Sequence, residues 1–127
     1  MKIGIMAAFC NGIALRALDL AVAYADSREV WGAPISTHQA ISYPLAEVKI
    51  DIELARNMAF RAASNFDSDG DCGASANYSK FAAARAAVKS VDQAIQTHGG
   101  YEFAKDYRLS ELFWPAHFFE LRLSVRR

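Results

Sequence analysis

The chain has 127 residues, 53% of them hydrophobic, which is the size of one domain with enough apolar material for one core and excludes a disordered chain. Fourteen Lys and Arg balance fourteen Asp and Glu, so no net field draws nucleic acid, an anionic membrane surface or acidic substrates. Cys10 and Cys72 sit in no CxxC or Cys/His pattern, which argues against a disulfide framework or a zinc site and fits reduced thiols in a cytoplasmic protein.

From the N-terminus, Ile5, Phe9, Ile13, Ala17, Leu20 and Tyr24 step by four or three, which predicts a helix over 2–27 with these residues on one face. Lys2, the apolar run after it and Ala23-Tyr24-Ala25 imitate a leader with its cleavage site. Arg16 and Asp19 break the run and the helical period continues past them, so secretion is not expected and the Asn77-Tyr78-Ser79 glycosylation match carries no weight. No window reaches the roughly 18 uninterrupted apolar residues of a membrane span.

Gly32 and Pro34 make Val30 to Thr37 a connection, after which Ser36 or Thr37 is placed to cap a helix over 37–66. That second helix carries Ile41, Leu45, Val48, Ile52, Ala55 and Ala59 on its apolar stripe. The polar segment from Asp67 to Ser75 returns the chain. Asp67, Asp69 and Asp71 alternate as in a calcium loop, but glycine falls at the fourth position and the twelfth is Tyr78, so a solvated turn is expected and no metal. Phe81, Ala84, Val88, Val91 and Ile95 define a third helix, 74–98, ended by Gly99. A weaker pattern predicts a fourth over 108–124 that is kinked at Pro115, or a new helix starting there. Long amphipathic helices with short connections predict an all-α, antiparallel four-helix bundle over residues 1–127.

Site candidates are few. His38, His98 and His117 are scattered with no i, i+4 partner and are expected at surface or cap positions. Arg56, Arg61, Lys80, Arg85 and Lys89 alternate with apolar residues at helical spacing and read as a solvated face rather than a nucleic-acid patch. Gln39 and Gln96, at helix edges, carry amides suited to a heteroaromatic edge or a ribose, and Arg28 is suited to hold a phosphate. Gly99 suffices to stop a helix, so Gly100 needs a further reason.

In order and spacing, the stretch from Ala17 to Ser42 (ALDLAVAYADSREVWGAPISTHQAIS), then LAEVKIDIELAR from Leu45 to Arg56, then AIQTHGGYEFAKDY from Ala94 to Tyr107 resemble the C-terminal helical domain of acyl-CoA dehydrogenases. The family pattern there is Tyr-Ala-x-x-Arg-x-x-Phe-Gly-x-Pro-Ile-x-x-x-Gln, later Gln-x-x-Gly-Gly-x-Gly-Tyr. The resemblance implies bundles that associate as dimers or tetramers, each contributing to FAD held by a neighbouring subunit. By motif, Arg28 is expected at the FAD pyrophosphate, Trp31 against the cofactor in place of the family's Phe, and Gln39 near the phosphates or adenosine. Gln96 is expected at the adenine side, with the backbone of Gly99 and Gly100 making a close approach.

The same resemblance implies what is missing. A whole enzyme of this family also has an N-terminal helical domain and a middle β-domain, and its catalytic base is a carboxylate at one of two places. Gapless counting from Asp106-Tyr107 puts Leu123 at one and counting back from Arg28 puts Lys2 at the other, so no catalytic residue is assigned. Past Gly100 the pattern breaks: Glu102-Phe103 replaces Gly-Tyr, Arg108 a proline, and Trp114-Pro115 an Arg-Asp pair. The expected role is therefore FAD binding and oligomerisation for acyl-CoA dehydrogenation, with no turnover by this chain alone, by self-association or with a partner carrying the missing domains. The alternative is a non-catalytic helical association module that binds no flavin.

Overall fold

The computed structural model describes residues 2–68, 70–103 and 108–124. Four helices build it: α1 (Lys2–Ser27), α2 (Gln39–Asp67), α3 (Gly73–His98) and α4 (Leu109–Ser124). α1 runs parallel to α3, since Ser90 Oγ donates to the Ala14 carbonyl at 2.6 Å and Tyr24 stacks on His98 at the far end. α2 and α4 run against α3: Lys89 Nζ meets Asp51 at 2.7 Å, Asn65 Nδ2 donates to Ser75 Oγ at 3.3 Å, and His117 Nε2 lies 4.0 Å from Asp92.

Small side chains decide the cross-section. The buried faces of α1 and α3 are mostly alanine (Ala7, Ala14, Ala17, Ala21 and Ala25 against Ala83, Ala84, Ala87 and Ala94), so these two parallel helices close on each other. In an up-down bundle they would ordinarily face across the diagonal. Here the diagonal is the tightest contact, and α2 and α4, pushed to opposite sides of it, scarcely touch. α1 is long and apolar enough to cross a membrane by length and mean hydropathy (1.6), yet the face it turns inward is the alanine face on α3.

This packing overturns part of the expected stripes. Ile5 and Phe9 of α1 are 64% and 52% exposed, and Phe81 of α3 is 51% exposed, whereas Ala7, Cys10, Ala14, Ala83 and Ala87, outside the expected stripes, are buried; Ile13, Ala17, Ala84 and Val91 of those stripes are buried as expected. Bulky side chains belong beside the diagonal, because between two closely approaching helices only small ones fit. On α2 the expected stripe does face the core, with Leu45, Val48, Ile52 and Ala55 buried.

The segment between α1 and α2 is more than a linker. It forms a two-residue antiparallel hairpin, β1 (Glu29–Val30) with β2 (Ala33–Pro34), followed by a 3-10 turn from Ile35 to Thr37. Its tip residues Trp31 and Gly32 have φ of 53° and 80°, the left-handed pair that a tight hairpin needs. Neither Ser36 nor Thr37 caps α2: Thr37 Oγ1 instead donates to the Pro34 carbonyl at 2.7 Å, and extended His38 takes the N-cap position without a side-chain bond. The return after α2 is the expected solvated turn, with Asp71 accepting from the Gly73 amide at 2.9 Å; Asp69 lies outside the described residues. Pro115 lies inside α4, which continues through it, so no new helix begins there.

Candidate functional site

Where α1 and α3 end together, their last residues frame an open cleft of about 430 Å³ lined by Leu20, Tyr24, Ser27, Arg28, His98 and Tyr101. Local bonds hold this corner. The Arg28 amide donates to the Tyr24 carbonyl at 2.9 Å, continuing the helix by one residue, and the Arg28 carbonyl accepts from Ile35 at 2.8 Å, tying the hairpin back to the helix end. The Arg28 guanidinium sits 5.4 Å from the centre of the Tyr101 ring, an aromatic face suited to a cation.

His98 is buried, contrary to the surface or cap position expected for it. Its ring stacks on Tyr24 with centroids 4.3 Å apart, and Nδ1 lies 2.8 Å from the Ala94 carbonyl. A carbonyl only accepts, so Nδ1 carries the proton in that bond. The burial has a simple cause: His98 is on the last turn of α3, level with Tyr24, on the side that faces α1.

The two glycines differ. Gly99 is the C-cap of α3 with φ 57° and ψ −136°, and its amide donates to Ile95. Only glycine adopts that conformation without strain. Gly100 has no left-handed φ, and a Cβ placed on it would meet nothing within 4 Å. Among the described residues nothing demands a glycine at 100.

The remaining candidates lie apart from the cleft. Trp31 projects from the hairpin tip at 91% exposure, its ring 5.9 Å from that of His38 in edge contact. His38 Nε2 is buried with no hydrogen-bond partner among the described residues. Gln39 is exposed in the first turn of α2. Gln96 is exposed on another face of α3, in a groove of about 800 Å³ shared with Leu54, Phe81, Arg85, Lys89 and Glu120. In that groove the hydrogen bond that the Lys89 ammonium donates to the Asp51 carboxylate holds its pKa above the ordinary lysine range. The structure thus brings together Arg28 and the Gly99-Gly100 corner, and leaves Trp31 and Gln39 on the hairpin side and Gln96 on the groove side. The sequence put Tyr24 on an apolar face and His98 at a surface or cap position and assigned no role to Tyr101; the signal for their meeting was that Tyr24 and His98 lie in the last turns of two helices of equal length. Among the described residues no three His, Cys, Asp or Glu gather as for a metal, and the side chains of Lys2 and Leu123 lie outside them.

A bundle with an open cationic and aromatic corner, a bare glycine and a protruding tryptophan is a helical domain that carries its candidate contact residues at the surface rather than enclosing them. The chain belongs to the family of acyl-CoA dehydrogenase C-terminal domains, whose family model matches residues 4–121. It is 41% identical over 112 residues to the acyl-CoA dehydrogenase FadE12 of Mycobacterium tuberculosis, covering 87% of this chain and 29% of that protein. Butyryl-CoA dehydrogenase from Megasphaera elsdenii superposes with a TM-score of 0.89 at 31% identity, over 93% of this chain and 31% of that one. PigA, solved with FAD and proline, superposes with a TM-score of 0.85 at 25% identity, over 99% of this chain and 37% of that one. The chain spans about three-tenths of the length of the curated relatives it matches.

Proposed function

We propose that the chain acts as the FAD-contacting and subunit-joining domain of a cytoplasmic acyl-CoA dehydrogenase. One observation carries the reading: two motifs some seventy residues apart, one containing Arg28 and the other Gly99-Gly100, come together at one corner, where Arg28 lines a cleft with His98 and Tyr101, the residues on either side of the two glycines. The corner fits an anionic, flat cofactor. Arg28 offers an exposed guanidinium suited to a diphosphate, and Gly100 leaves bare backbone with open space beside it. Apart from the corner, on the hairpin side, His38 Nε2 is a buried nitrogen with no hydrogen-bond partner among the described residues.

FAD, when bound, supplies the acceptor for the hydride that leaves the β-carbon of an acyl-CoA thioester as a base takes the α-proton. This chain's part is to bind and orient. Arg28 neutralises phosphate charge, Trp31 covers the cofactor, and Gln39 and Gln96 address its polar edges. Neither position where the family carries its base is acidic here, Lys2 at one and Leu123 at the other, so acyl-CoA turnover requires residues from elsewhere.

The test is FAD titration of the chain, alone and mixed with a chain carrying the missing domains, followed by flavin absorbance. Loss of the charge-assisted bonds of Arg28→Ala should weaken FAD about 10- to 100-fold. Gln96→Ala should weaken it less. If flavin affinity in an assembled complex is indifferent to both substitutions, these residues do not hold the cofactor.

A further inference from the structure

Among the described residues, α4 is fastened to the bundle by less than any other helix. The buried bond from Ser90 to the Ala14 carbonyl ties α1 to α3, and the bonds from Lys89 to Asp51 and from Asn65 to Ser75 tie α2 to α3. No side-chain hydrogen bond among the described residues joins α4 to another helix, and its one ion-pair contact is loose, His117 Nε2 lying 4.0 Å from Asp92 Oδ1. His117 Nδ1 lies 2.9 Å from the Phe113 carbonyl and carries the proton there, so a neutral ring turns a lone pair toward the Asp92 carboxylate and makes no bond to it.

Apolar burial is equally slight. Among the described residues of α4 only Leu109 and Ala116 are buried, whereas α2 buries Leu45, Val48, Ile52, Ala55 and Ala62. Trp114 and Phe118 stay 75% and 57% exposed, so their rings add little to the hold. The helix has 16 residues, near the length at which an unpacked helix is marginal in water. Pro115 inside it has no amide for the Glu111 carbonyl, which removes one rung of its ladder.

With α4 away, the alanine seam between α1 and α3 and the bonds of α2 to α3 would all remain. Opening α4 exposes little apolar area and breaks no cross-helix hydrogen bond among the described residues, while opening any other helix breaks the core. We propose that α4 is a detachable wall, which opens and closes as a unit on a three-helix core that stays folded. Closure completes the groove that holds Gln96, with Asp51 and Leu54 of α2 on one side and Glu120 of α4 on the other. Anything held across both sides favours the closed state by its preference for it, so occupancy of the groove and order of α4 are coupled. None of this depends on flavin.

Native-state hydrogen exchange of the full chain, read by mass spectrometry across urea concentrations below the unfolding transition, tests it. Amides of α4 should be at least about 100-fold less protected than those of the seam between α1 and α3, and should respond less steeply to urea, because the slope follows the surface exposed. Ser90→Ala separates local opening from global unfolding. The open form keeps the seam intact, so this substitution should speed exchange of the α1 and α3 cores about fivefold and leave α4 unchanged. Pro115→Ala returns an amide to the Glu111 carbonyl and should slow exchange of α4 at least about tenfold. If that variant does not fold, the Ser90→Ala comparison still decides, since it leaves α4 untouched. A urea slope shared by α4 and the seam, faster α4 exchange in Ser90→Ala, or a folded Pro115→Ala chain whose α4 exchanges as before overturns the proposal.

Discussion

At Gly99 and Gly100 two neighbouring glycines have different causes, and substitution separates them. Gly99→Ala puts a Cβ on a backbone at φ 57°, ψ −136°, which should cost about 1–3 kcal/mol and lower the thermal midpoint without touching a ligand. Gly100→Ala meets open space and should change stability by less than about 0.5 kcal/mol while reducing FAD affinity in the assembled complex. Thermal melts paired with flavin titration read both effects. Cys10 gives a pH signature of the same locality. Burial pushes its thiol up to about 11, with Lys80 pulling slightly the other way. The unfolded thiol ionises near 9 and the folded one does not, so the unfolded state binds fewer protons above pH 9 and stability falls as pH rises from 9 to 11, by about 2–3 kcal/mol. Cys10→Ala should flatten that limb of the urea-stability profile relative to the wild type. A thiol reagent at pH 8 should modify half-exposed Cys72 in the native protein and reach Cys10 only on unfolding.

Elements show where sequence pattern succeeds and where it misleads. The α2 stripe was legible because Leu45, Val48, Ile52 and Ala55 are the largest or most regular apolar residues on one line and do face the core. On α1 and α3 the same rule favoured Ile5, Phe9 and Phe81, which are the exposed ones, because hydrophobic period says which residues are apolar but not how near the partner helix comes. The alanines carried that information: a face of small residues signals close approach. The consequence is testable in volume. Ala87→Leu inserts three heavy atoms into the buried contact with α1 and should cost about 3 kcal/mol or more by overpacking. Ser90→Ala, which removes the 2.6 Å bond to the Ala14 carbonyl but leaves the packing intact, should cost about 1 kcal/mol, as calorimetric or urea midpoints will show. The hairpin was legible only as a connection, since Trp31 in a left-handed conformation is not what residue preference suggests at a turn. An exposed bulky side chain held in an unfavourable backbone region marks a position shaped by something other than the isolated fold.

Across the whole molecule, the meeting of Arg28 with Gly99 follows from topology. α1 and α3 have 26 residues each and run parallel, so helices that begin level finish level, about 39 Å further on. Counting helices thus already implied that the ends of the first and third motifs share one end of the bundle. Counting could not show that Gln96, one turn before that corner, faces the groove between α2 and α4 instead, because that depends on the rotation imposed by the alanine contact. The same flattened cross-section leaves α2 with its outer apolar face uncovered, and this links folding stability to association. A partner that binds only the folded chain adds to its stability in proportion to the logarithm of concentration. For a dimer, a hundredfold rise in concentration is worth about 2.7 kcal/mol per dimer, roughly half of that per chain, which for a chain of this size moves the thermal midpoint upward by about 3–6 °C. Scans at about 1 and 100 µM should show that shift for the wild type and for Phe9→Glu. If the exposed apolar face of α2 joins subunits, Leu54→Glu should melt at one temperature at both concentrations, close to the lower wild-type value, because a substitution at 63% exposed Leu54 changes that face without disturbing the core. A concentration-dependent midpoint that survives Leu54→Glu would mean that a different face of the bundle carries the association.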